Sequence, residues 1–184
     1  MWCANCNKTS YSDVCEVCGG KTQQDTPIEL YWCDSCRVPI IRELSDTSPM
    51  ICPSCGMPIR YLAKDLRPVF PEERLLLEVI KGTPFAFLNA SVWASGSRYY
   101  IDGKTANLSI ETLKKIDVEK VVETLTQYKD KNDYSFFNEN IKTFINCNRE
   151  RLDSIKNEAI SFVAEQVKRF PNHKLVISFS GGKD

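Results

Sequence analysis

The chain has 184 residues, 42% of them apolar, with 24 Lys and Arg against 24 Asp and Glu. That length holds one or two domains with a real core, and the zero net charge offers no overall field to draw the protein to nucleic acid or anionic lipid. No apolar run approaches the roughly 18 residues of a membrane span, and the opening MWCANCNK lacks the basic-then-apolar form of a signal peptide.

Eight of the nine cysteines fall in four C-x-x-C pairs within the first 55 residues. Two thiolates separated by two residues point at one ion from a single knuckle turn, and a second knuckle completes a tetrahedron. Sequential pairing gives one site of Cys3, Cys6, Cys15 and Cys18, with eight residues between knuckles, and another of Cys33, Cys36, Cys52 and Cys55, with fifteen. Spacing alone leaves a crossed pairing open. Gly19 and Gly56 follow the second knuckles, where the chain must turn with positive φ and aim N–H groups at sulfur. Pro53 stiffens the CPSCG knuckle.

Zinc is expected, two ions per chain, with a rubredoxin-like iron centre as the alternative that the same ligands allow. A reducing cytoplasm keeps such thiols free, so a cytoplasmic location accompanies this reading; disulfides or redox dithiols are the competing one. Trp2, Tyr31, Trp32, Ile40, Ile41 and Ile51 would form the small cores of the ribbons. A segment of about 60 residues holds too little core to fold alone, so folding and metal binding should be one event. Residues 1–60 carry five basic against seven acidic side chains, a formal −2. Each four-thiolate zinc centre adds −2, making −6, the wrong sign for phosphate neutralisation.

The stretch RPVFPEERLLLEVIKGTPF predicts a helix opened by Pro71, with Glu72 and Glu73 at the positive end of its dipole and Gly82 and Pro84 closing it. Leu75, Leu76, Val79 and Ile80 are its expected apolar face. FAFLNASVWASGSRYYIDGKTANL alternates and turns like a small antiparallel sheet with glycine turns. The aromatic Trp93 and Tyr100 read as that sheet's core, a base-stacking surface of Trp93, Arg98 and Tyr100 being the alternative. Residues 109–131 predict one or two short helices, with Asp117 as an N-cap. From 134 to 170 the apolar spacing describes a long amphipathic helix, open to interruption near NCNRE and stopped by Pro171. Cys147 is expected to be a buried thiol, and His173 an exposed bystander in a polar turn.

Leu175, Val176, Ile177 and Phe179 make a nearly continuous apolar run, the mark of a buried parallel strand. Ser180, Gly181 and Gly182 follow. Paired glycines let successive N–H groups converge on phosphate oxygens, Lys183 adds positive charge, and Asp184 caps a following helix or helps hold Mg²⁺. The arrangement differs from the Walker loop. The fold class is therefore α+β: tandem zinc ribbons at 1–60, a small helix-and-antiparallel-sheet domain at 61–131, and from 132 to 184 a helix and first strand beginning an α/β nucleotide-binding domain.

ISFSGGKD resembles the PP-loop of the N-type ATP pyrophosphatase superfamily, whose pattern is SGGxD followed by Ser or Thr. Zinc ribbons ahead of it, joined through RPVFPEERLLLEVI and SGSRYYIDGK, resemble the phosphoadenosine phosphosulfate (PAPS) reductase-like branch. The resemblance is specific over 175–184 and suggestive over 67–104. It implies ATP or PAPS as substrate with Mg²⁺, and either cleavage at the α-phosphate or reduction of the sulfonucleotide. Ser180, Gly181, Gly182, Lys183 and Asp184 would cradle the phosphate or sulfate group. RNA or a sulfur-carrier protein would be the macromolecular partner, with no membrane. The Ser or Thr after the aspartate, the remaining strands and the C-terminal cysteine motif of sulfonucleotide reductases are missing. The expectation is thus the N-terminal part of a longer enzyme, inert alone. The competing reading is a zinc-ribbon module that binds RNA or protein and delivers a substrate such as a tRNA to a modification enzyme.

Overall fold

The computed structural model describes residues 2–3, 5–6, 8–10, 12–23, 28–44, 46–106, 108–131, 133–172, 174 and 176. They belong to two compact units, Met1–Asn148 and Arg149–Asp184. Among the described residues, antiparallel sheet and helix are mixed, as an α+β chain requires. No helix among them is long and apolar enough to cross a membrane.

The first ribbon rests on two short paired strands, β1 (Trp2–Cys3) and β2 (Lys8–Thr9). The second is larger. Strand β3 (Ile28–Cys33) pairs along its whole length with β4 (Val38–Glu43) and on its other edge with β5 (Arg60–Ala63). Alternation buries Leu30 and Trp32, and the hairpin turn places Cys33 as the last residue of β3.

Next come β6 (Arg67–Pro68), helix α1 (Pro71–Ile80), and strands β7 (Val92–Ser95), β8 (Arg98–Ile101) and β9 (Lys104–Thr105), joined as a four-stranded sheet in the order β6-β7-β8-β9. Proline at the first turn and two glutamates after it start α1 as expected. Its buried stripe is different from the predicted one: Arg74, Leu75, Leu77 and Glu78 point inward, while Leu76 is exposed. The cause is a polar network. Glu78 accepts from the N–H groups of Phe85 (2.9 Å) and Phe87 (2.7 Å) and from the Tyr134 hydroxyl (2.8 Å), and Arg74 donates to the carbonyls of Val69 (2.7 Å) and Ala90 (2.8 Å). These bonds hold residues 85–90 as turns, so the sheet starts at Val92 and takes Arg67–Pro68 as its first strand.

Helices α2 (Ile110–Lys114), α3 (Val118–Tyr128) and α4 (Ser135–Cys147) complete the first unit. Asp117 caps α3 by accepting from the N–H of Lys120 at 3.1 Å. The predicted long helix is interrupted at Asn148, beyond which α5 (Arg149–Arg169) forms the described helix of the second unit. On α5, Ile155, Ile160, Phe162, Val163 and Val167 are exposed. His173, most of the predicted strand (175 and 177–179) and Ser180–Asp184 lie outside the described residues.

The core joins the second ribbon to the small sheet. Trp32 packs with Ala63, Trp93 and Tyr100, and a neighbouring cluster joins Cys33, Val38, Ile40, Cys52 and Ile59 to Cys147 of α4. Trp93 and Tyr100 are buried, and the Trp93 indole N–H donates to Ser91 Oγ at 2.8 Å, which removes the stacking alternative for these two rings. Ile51, expected in a ribbon core, is 44% exposed because it bridges Pro58 on the outer side of its knuckle.

Candidate metal centres

Both second knuckles are built alike. Cys15 N–H donates to the Gly20 carbonyl and Gly19 N–H to that of Cys15; thirty-seven positions on, Cys52 N–H donates to Met57 and Gly56 N–H to Cys52, all at 2.8–2.9 Å. Gly19 and Gly56 adopt φ of 68° and 72°, as the turn demands. In the first knuckle of the second ribbon the same left-handed position falls to Arg37 (φ 55°), whose N–H donates to the Cys33 carbonyl at 2.8 Å. Its guanidinium repays the strained backbone with contacts to Asp102 Oδ1 (2.7 Å) and the Asn89 carbonyl (2.8 Å).

The turns bring the eight cysteines together in two groups, Cys3/Cys6/Cys15/Cys18 and Cys33/Cys36/Cys52/Cys55, with the sulfurs of each group within 4.8 Å of one another. Sequential pairing is therefore the one adopted. The sulfurs stand 3.5 Å apart for Cys3–Cys18, 3.9 Å for Cys6–Cys15, 3.5 Å for Cys33–Cys55 and 3.8 Å for Cys36–Cys52. A tetrahedron with metal–sulfur bonds of about 2.3 Å has edges of about 3.8 Å, so both cages fit one zinc ion, whereas a disulfide needs about 2.05 Å. All nine cysteines are free thiols. Four thiolates leave no open position, so an ion here supplies structure and not a reactive water.

Backbone donors tune the sulfurs. Val17 N–H reaches Cys15 Sγ at 3.4 Å, Gly20 N–H reaches Cys18 Sγ at 3.4 Å, and Cys36 N–H reaches Cys33 Sγ at 3.3 Å. Without an ion, donation from Met57 N–H brings the Cys55 thiol down to about 6, and donation from Cys18 and Val17 N–H brings Cys15 down to about 7. The neighbouring Cys18 thiol pushes Cys6 up to about 12, and burial pushes Cys33 up to about 11. Burial is graded in the same way in each group: the first and third cysteines are buried and the fourth is exposed.

Two residues at the second centre were not legible from C-x-x-C spacing. Cys147 is buried on α4 against Cys36 and Cys52. Asn148, next to it, donates to the Pro39 carbonyl at 2.9 Å and accepts from Ile41 N–H at 2.7 Å, fastening the helix end to the outer edge of β4. Both lie far from the knuckles in sequence, and only the packing of α4 on β4 brings them there.

No family model, curated protein or solved structure matches this chain. What the fold and the cages define is a protein with two four-cysteine groups able to hold two metal ions, compatible with zinc.

Proposed function

We propose that the chain is the zinc-organised N-terminal region of a PP-loop enzyme of the PAPS-reductase-like kind, acting on ATP or an adenylylated sulfur compound. The observation that carries this is the SGGKD sequence at 180–184 following helix α5, in a chain whose front forms two metal cages. In this reading the ribbons and small sheet hold the enzyme's substrate or partner, while the glycine loop takes the nucleotide phosphate with Mg²⁺. Amide spectra titrated with ATP and with PAPS should shift within 175–184, and Lys183→Ala should abolish the shift. Shifts centred on the ribbons, or micromolar affinity insensitive to Lys183, contradict the proposal.

The second reading, a ribbon that binds a macromolecule, is favoured by one feature: Met50, Ile51 and Met57 form exposed apolar surface around the second knuckle of the second centre. That surface suits protein better than RNA. The nearby basic groups are engaged, Arg37 with Asp102, Arg60 with Asp34 and the Gly103 carbonyl, and Arg42 with the Pro49 and Ser48 carbonyls. Salt-sensitive retention of tRNA by the isolated chain would reverse that preference.

A further inference from the structure

The chain has nine cysteines, and the two cages use eight. The ninth does not stand apart from them. Cys147 is 3% exposed and shares one apolar cluster with Cys33 and Cys52, with Cys36 packed against it. It touches the second centre from the protein side, whereas Cys55 meets solvent. Its place is fixed from two directions. Asn148 clamps the end of α4 to Pro39 and Ile41 of β4, and Asn140, two turns earlier, donates to the Arg37 carbonyl at 3.0 Å within the first knuckle. The second centre thus has four sulfurs within 4.8 Å of one another and a fifth thiol, Cys147, packed against them, whereas the first, with every other cysteine accounted for, has four alone.

We propose that Cys147 is a substitute ligand of the second centre, supplying the fourth sulfur when the exposed Cys55 is alkylated or removed. Three sulfurs, those of Cys33, Cys36 and Cys52, stay on the protein side, and a thiol already desolvated beside them completes a four-sulfur set without any group entering from solvent. The first centre has no such provision. An electrophile that reaches the two exposed cysteines, Cys18 and Cys55, therefore has unequal consequences: the first ribbon loses its metal and the second keeps it. This rests on metal binding at the second group and on nothing in the nucleotide reading.

The test uses the full chain loaded with zinc and treated with iodoacetamide. Thiolate sulfur displaces iodide, a carbon–sulfur bond replaces the carbon–iodine bond, and iodide leaves. Peptide mapping should find the label at Cys18 and Cys55. Zinc should fall from two per chain to one in the wild type and to none in Cys147→Ser. Equal zinc loss in the two proteins overturns the inference. Should Cys147→Ser fail to fold, cobalt(II)-loaded Cys55→Ser decides. A sulfur-to-cobalt charge-transfer band of four-thiolate intensity at the second centre supports Cys147 as ligand, and a three-thiolate band overturns it. A wild type that binds no metal at all would instead remove the reading of the cages themselves.

Discussion

Gly103 lies against the indole of Trp32: a methyl group at its α-carbon would stand 2.6 Å from the ring atoms Cδ1 and Cδ2. Trp32 belongs to the second ribbon and Gly103 to the turn between β8 and β9, so this contact joins the metal-binding half of the first unit to its small sheet. Asp102, beside the glycine, accepts from Ser91 N–H and from Arg37, and Arg60 donates to the Gly103 carbonyl. Gly103→Ala should lower stability by about 1–3 kcal/mol from overpacking, beyond the cost of its left-handed backbone. Gly96→Ala is the control, because Gly96 is also left-handed (φ 55°) but has open space around it. Urea unfolding should show the larger loss at 103; equal losses would mean that the contact with Trp32 carries nothing.

Asn148 should behave as an extra rung on the edge of β4. Its amide satisfies a backbone acceptor at Pro39 and a donor at Ile41, while its own N–H donates to the Phe144 carbonyl. Asn148→Ala leaves those strand groups without a partner, at a cost of about 1–3 kcal/mol. Native-state exchange at the Ile41 amide should accelerate well beyond the change in global stability. An unchanged Ile41 amide would show that the clamp is not formed in solution.

Metal retention should weaken on acidification. In the metal-free clusters the thiols of Cys6 and Cys33, pushed up to about 12 and 11, hold protons at neutral pH, and Cys15 and Cys55, at about 7 and about 6, ionise first. The metal-bound form binds fewer protons, so it is favoured as pH rises and lost as pH falls, most steeply once the pH drops through 7 and 6. Zinc release followed with a chromophoric chelator across this window checks the sign. Occupancy independent of pH would argue against thiolate ligation.

The two centres should also differ in lability. The first stands on two-residue strands, whereas the second stands on six-residue strands and shares a core with α4. Chelator competition should therefore release zinc in two phases, the fast one absent in Cys6→Ser. Loss of the slow phase in that variant instead would reverse the assignment.

The knuckles were legible in the sequence because the chemistry is local: ligand spacing, a following glycine and a stiffening proline all act within a few residues, whereas the choice of sequential over crossed pairing came only with the fold. Helix α1, the Asp117 cap and the break near Asn148 were legible for the same reason. What escaped was long-range. Nothing in RLLLEVI signals that Glu78 must turn inward to serve Phe85, Phe87 and Tyr134, and amphipathic periodicity gave Leu76 the place that Arg74 and Glu78 take. Likewise Cys147 and Asn148 gain their roles from packing on β4, and Ile51 lost its expected burial because the knuckle presents it outward.

The central claim is that two sulfur-bound ions organise the front of the chain. Metal analysis of the purified protein, combined with amide-exchange protection before and after chelation, tests it most directly. The account predicts two zinc ions per chain and collapse of protection over β3, β4 and β5 when they are removed. Metal content near zero in well-folded protein, or a hairpin equally protected after chelation, would contradict it.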